Sequence, residues 1–361
     1  LSFILGSRSY WFYAPFFFVV IHVFTFEDIR KFIRINLYFI VPLYVLVLIQ
    51  SYSPYDTIIN SGNNFVVQNP ERPSAYFTYI TQNTYYFIFL YCCYLSYSIS
   101  EKIIDKKKFV YLIFLNLLLM GVMILLKSRA VYYYVFAISI ICLYISLVNN
   151  DDIILKIKRL SIILIITPAS FILNTNVFEN QFSYSVERHN TDVYQTNNLV
   201  LQYKNKSVEI GKLKIDIGDT CSKYSSLCRI INELYYLSSI KTVSKFGEGI
   251  GSGSSIVANF NNEKFYRLNE SENLRILAEL GSIYGNIFIL IKYTFVLFLN
   301  LIFFLTNRVT NKLFYSPFLT FVSISFLIGP ITYTTSFISF ISWLSLAFLI
   351  KSFDKHKNKD F

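Results

Sequence analysis

Two apolar blocks decide how this chain folds: FVYLIFLNLLLMGVMILL at residues 109–126 and VYYYVFAISIICLYISLV at residues 131–148, with only Lys127, Ser128, Arg129 and Ala130 between them. Each block has the length of a bilayer-crossing helix, which takes about 20 apolar residues. A buried helix of a soluble protein would carry a polar stripe at the helical period, and neither block does. The same texture recurs on both sides, at about residues 10–26, 35–50, 83–99 and 160–174 before the long polar stretch, and 283–305, 317–333 and 335–350 after it. The expectation is an all-α polytopic membrane protein of about nine transmembrane helices. Helices one to six and their short loops fill residues 1–174, one large external loop fills 175–282, and helices seven to nine with a basic tail fill 283–361.

Composition agrees. Hydrophobic residues make up 54% of the chain and charged residues 15%, against about 25% charged in soluble domains. A net charge of +11 could suggest nucleic acid, but the charge sits in short segments between apolar blocks, so no nucleic-acid partner is expected. Arg30, Lys31 and Arg34 follow the first span, and Lys102, Lys106, Lys107 and Lys108 follow the third. Lys156, Lys158 and Arg159 follow the fifth, Arg308 and Lys312 the seventh, and Lys351, Lys355, Lys357 and Lys359 the last. Every second connection is therefore basic, and the positive-inside rule makes that side cytoplasmic. Residues 51–79, 127–130, 175–282 and the turn near 334 then lie outside. This places Leu1 outside, so an odd number of helices is expected to precede it. No cleavable signal peptide is evident. Cys92, Cys93 and Cys142 fall within apolar spans and read as packing residues. Cys221 and Cys228 share the loop and either form a disulfide or remain thiols.

Four segments on or near the outer side carry residues suited to chemistry. Arg129 stands between two spans, where a cation is costly and tends to be functional. The bland reading is that it snorkels to the headgroups. The functional reading is preferred, because a guanidinium fork binds diphosphate in bidentate fashion. Glu272, Arg275 and Glu279 fall at i, i+3 and i+7 and share one helical face at the entry to span seven. They read either as an anion-binding arginine held by carboxylates, one of them a general base, or as a solvated ladder of ion pairs. The glycine-rich run Gly247-Glu248-Gly249-Ile250-Gly251-Ser252-Gly253 lacks the Gly-Lys-Ser/Thr of a nucleotide loop but suits a tight turn near a ligand. The fourth segment, Asn69-Pro70-Glu71-Arg72-Pro73-Ser74-Ala75-Tyr76-Phe77, leads into span three. His189 has no second histidine nearby and reads as a loop residue. No metal-ligand cluster accompanies these residues.

In combination and order, Arg72-Pro73-Ser74-Ala75-Tyr76-Phe77, Ser128-Arg129, Gly249-Ile250-Gly251-Ser252-Gly253 and the segment from Glu270 to Gly281 resemble the polysaccharide polymerase and O-antigen ligase-like superfamily of bacterial envelopes. The likeness is closest to polymerases of oligosaccharide repeat units. It implies an enzyme of the inner membrane, a lipid-diphosphate-dependent glycosyltransferase with no metal and no cofactor. Donor and acceptor would both be glycans on undecaprenyl diphosphate, a lipid of the surrounding membrane. A chain-length regulator and a flippase are the implied protein partners. The product would be an O-antigen, capsule or exopolysaccharide.

The resemblance implies Glu272, Arg129 and Arg275 as catalytic residues, and Arg72, Glu270, Glu279, Gly249, Gly251 and Gly253 as substrate-binding ones. Ligases of the superfamily have a histidine where this chain has Glu270, which favours a polymerase. Two other readings stay open, a ligase and a flippase or transporter of lipid-linked sugars. Transporters often carry inverted repeats, and no repeat is visible here.

Overall fold

The connection between the first two apolar helices is only two residues long, and Thr25 makes it. The Thr25 hydroxyl accepts the Asp28 backbone N–H at 3.2 Å while Asp28 accepts the Thr25 N–H at 2.8 Å. This reciprocal pair satisfies amide donors that the first turn leaves orphaned. The helix it opens, α2 (Phe26–Tyr38), runs on past Phe39 into α3 (Ile40–Tyr52). Arg30, Lys31 and Arg34 were expected in the loop after span one and lie instead within α2. Its Ile29, Ile33 and Leu37 recur at helical spacing and are buried, which sets the charges on the other face.

The structure, a computed structural model, describes residues 13–54, 57–60, 73–77, 80–100, 106–149, 153–183, 207–210, 213–216, 245–247, 272–305, 311–328 and 336–353. The elements are α1 (Ala14–Val23), α2, α3, α4 (Ile80–Ser100), α5 (Lys106–Leu125), α6 (Arg129–Val148), α7 (Ile153–Ser161), α8 (Thr167–Val177), the strands β1 (Ser207–Ile210) and β2 (Leu213–Asp216), α9 (Glu272–Leu305), α10 (Lys312–Ile328) and α11 (Ser336–Lys351). β1 and β2 pair antiparallel within the stretch expected to be an external loop. Among the described residues, five helical stretches are long and apolar enough to cross a membrane: Phe26–Tyr52, Lys106–Leu125, Ala130–Val148, Ile153–Val177 and Glu279–Leu305. Two shorter apolar helices, Lys312–Leu327 and Phe337–Lys351, accompany them. The chain is thus a mostly helical, multi-pass membrane protein.

At the centre stands α4, the least apolar of the long helices. It packs against α2, α5, α6, α10 and α11, so it needs no lipid-facing surface, and neighbouring helices bond some of its polar groups. Tyr91 shares a 2.7 Å hydrogen bond with Ser139, and Ser96 donates to the Phe314 carbonyl. Cys92, Cys93 and Cys142 are free and buried here, as expected of packing residues. Between helices in lipid, packing and hydrogen bonds rather than release of water supply the stability.

Prolines shape two other helical stretches. Pro168 has no N–H and crowds the carbonyl four residues earlier, and the helix widens into a π-turn over Ile162–Ile166. The Thr167 hydroxyl then caps the Ile162 carbonyl at 2.9 Å. In α10, Pro317 leaves the Leu313 carbonyl without its usual donor, and Ser316 supplies one at 3.0 Å.

Three basic residues are tied down near the ends of α4 and α11. Arg159 donates from Nε to the Ile99 carbonyl at 2.9 Å, Arg34 lies over the Tyr97 ring, and Lys351 donates to the Ile21 carbonyl at 2.8 Å. Of the segments expected to carry chemistry, the described Pro73 lies beside Asn83, near the start of α4 and so at its opposite end.

Candidate functional site

Gly281 breaks α9. Its backbone, at φ 80° and ψ 173°, lies in a region that side chains other than hydrogen strongly disfavour. The helix therefore has two arms, residues 272–280 and 282–305, folded back on each other. Gly285 allows the close approach, because a Cβ there would stand 3.0 Å from the Leu277 Cα. Ile276, Leu277 and Ile289 form a small apolar core between the arms, with Leu280, Phe288 and Tyr293 against it.

A second glycine locks the hinge. Gly247, at φ 72°, packs its backbone on that of Gly281. A Cβ on Gly281 would overlap the Gly247 nitrogen, and one on Gly247 would overlap the Gly281 nitrogen and the Glu279 carbonyl. The Ile283 N–H donates to the Lys245 carbonyl at 3.4 Å. Residues 245–247 are thus clasped to the point where α9 turns.

On the first arm, Arg275 Nη1 donates to Glu279 Oε1 at 2.9 Å. Arg275 is 3% exposed and Glu279 1%, so this pair is withdrawn from water. Charges withdrawn from water are costly unless paired in good geometry. The charge-assisted bond to Glu279 fixes the orientation of the Arg275 guanidinium on this face of the arm.

Sequence reading missed a charge in the second arm. Lys292 lies inside an apolar run and is 4% exposed. Its Nζ donates to Asn273 Oδ1 at 3.1 Å, and Asn273 Nδ2 donates to the Tyr293 hydroxyl and the Leu327 carbonyl, each at 3.1 Å. The signal was available, since a lone lysine in the middle of a span marks a functional or structural tie.

A second polar knot holds the segment after Arg72. The Ala75 N–H donates to Gln50 Oε1 at 2.7 Å, and Gln50 Nε2 donates to the Ile59 carbonyl at 2.9 Å. Asn60 Nδ2 reaches the Pro54 carbonyl at 3.1 Å, and Asn83 Nδ2 the Pro73 carbonyl at 3.1 Å. Ala75 is held at φ 50°, a left-handed conformation rare for a side chain bearing Cβ. Gln50 and Asn83 went unremarked in sequence because each looked like an incidental polar residue at a helix end.

The expected residues fare unequally. Arg275 and Glu279 come together. Glu272 opens the same arm and Arg129 opens α6 after a tight turn with Lys127 at φ 49°, and the side chains of both lie outside the described residues. Arg72, Glu270, Gly249, Gly251, Gly253, His189, Cys221 and Cys228 also lie outside them. Comparisons with family models, with curated proteins and with solved structures find no match to this chain.

Proposed function

We propose that this chain is a polymerase that joins undecaprenyl-diphosphate-linked oligosaccharide units into a surface polysaccharide, at the outer face of a bacterial inner membrane. In this reading the five long helices, α1, α4 and the two shorter apolar helices make up a bundle of about nine spans. The observation that carries it is the buried Arg275–Glu279 pair on an arm that folds back beside a membrane-spanning helix. An ordinary connecting segment has no reason to withdraw a charge pair from water.

Such an arm suits the reaction's main demand. A sugar hydroxyl of the acceptor attacks the anomeric carbon of the donor, a C–O bond forms, and the bond from that carbon to the diphosphate oxygen breaks. Charge grows on the departing diphosphate, and preorganised cations stabilise it best where water is excluded. Arg275 takes that role, with Glu279 setting its fork. Arg129 and Arg72 supply further cations, Glu270 and the glycine run 249–253 complete the substrate cradle, and Glu272 receives the hydroxyl proton.

The test is glycan chain length in a deletion strain complemented with the wild type, Arg129→Ala, Glu272→Ala or Arg275→Ala at matched protein abundance. Polymer should return only with the wild type. Full-length polymer from all three variants would sink the site. A deletion strain with unchanged polymer length would sink the polymerase reading, and one that accumulates long unattached polymer would point to a ligase.

A further inference from the structure

We propose that Lys292 is a positioning residue that sets the depth of the returning arm, residues 272–280, and through it the place of Arg275 and Glu279. The position of the lysine is the first observation. At 1.5 Å per residue, the second arm of α9 is roughly 35 Å long and Lys292 lies about 15 Å from its start. That is close to its middle, beyond easy snorkelling to either surface, and the residue is 4% exposed.

What it does there follows from the bonds around Asn273. Arm and span meet through Asn273, Ile276, Leu277 and Leu280, at i, i+3, i+4 and i+7. The apolar members hold the arms together without fixing register, because such contacts have no direction. Asn273 is different. An ammonium only donates, so Lys292 Nζ at 3.1 Å requires the amide oxygen to face it. The amide nitrogen is thereby turned toward the Leu327 carbonyl and the Tyr293 hydroxyl. Leu327 lies in the last turn of α10, where carbonyls lack helical partners. One oriented amide thus ties both arms of α9 to the end of α10. Arg275 and Glu279 stand on the other side of the arm, so a slip of one residue would carry them about 1.5 Å along its axis. Displacements of about 1 Å can cost a hundredfold in rate.

The activity side of this inference rests on the polymerase reading, and the structural side does not. The test therefore uses two readouts. In a chain with Cys221→Ser and Cys228→Ser, Ile276→Cys is alkylated in membranes with a water-soluble maleimide, and polymer length is followed in cells without Ile276→Cys. Lys292→Met removes the donor, Lys292→Gln keeps a donor without the charge, and Asn273→Leu removes the acceptor while leaving Lys292. The expectation is alkylation about tenfold faster in Lys292→Met and Asn273→Leu, from loss of a charge-assisted hydrogen bond, and within about twofold of the parent in Lys292→Gln. Polymer should fall in the first two and return in Lys292→Gln. Parent-like alkylation in both Lys292→Met and Asn273→Leu would overturn the proposal. So would a Lys292→Gln variant as impaired as Lys292→Met in both readouts, because the charge itself would then be what matters. Loss of the polymerase reading alone would leave the alkylation result standing.

Discussion

Replacing Glu279 by alanine probes whether the buried pair is built or incidental. Arg275 and Glu279 meet at 2.9 Å with both side chains almost wholly enclosed. At an effective dielectric constant near 20, two unit charges at that distance attract by about 6 kcal/mol. Desolvation offsets much of this, so the pair's net worth is small, but deleting one partner leaves the other in place without it. Glu279→Ala should therefore destabilise the chain by about 3–5 kcal/mol. Arg275→Met should cost a similar amount. The double variant Arg275→Met, Glu279→Ala should lie well below the sum, because each single change already removes the same 2.9 Å contact. The assay is equilibrium unfolding of the purified protein in detergent across all four members of the cycle. A coupling of about 2–4 kcal/mol is expected. A coupling below about 1 kcal/mol, the size typical of exposed ion pairs, would refute the claim that burial makes this pair costly to break.

Three further outcomes follow from the geometry. Gly281→Ala places a Cβ in a backbone conformation that disfavours it and against the backbone of residues 245–247, so thermal melting should reveal a loss of about 3 kcal/mol or more, and Gly247→Ala should behave alike. Gln50→Leu strands the Ala75 N–H, which Gln50 Oε1 accepts at 2.7 Å, and should cost about 1–3 kcal/mol in the same assay. Thr25→Ala removes the side-chain cap of α2 and should cost about 1 kcal/mol, leaving polymer length unchanged in cells.

The membrane character was legible because a bilayer imposes a length and a composition on every span, and residues 109–126 and 131–148 meet both. Their helices, Lys106–Leu125 and Arg129–Val148, follow the expected blocks closely. The bounds of α2 were less legible. Charges were taken to mark a connection, yet Arg30, Lys31 and Arg34 alternate with Ile29, Ile33 and Leu37 at helical spacing, and the Thr25–Asp28 box was present to announce the start. At the candidate site, helical spacing placed Arg275 and Glu279 on one face, and it could go no further. A periodic pattern fixes which residues share a face, not what that face meets. The spacing from Glu272 to Glu279 placed a helical face at the entry to the next apolar block, and nothing in that pattern showed the chain reversing there. Gly281 was the only local sign of a reversal, and glycine within a helical pattern is often merely tolerated. What decides the matter is long-range: Gly247, 34 residues upstream, fills the space a side chain at Gly281 would need, and Lys292 fixes the side chain of Asn273, 19 residues upstream. A lysine in the middle of an apolar helix demands a polar partner. The adjacent helix residues, three and four positions away, are Phe288, Ile289, Phe295 and Val296, which offer none. The partner therefore had to come from elsewhere in the chain, and a returning arm bearing Asn273 is the fold's way of supplying it.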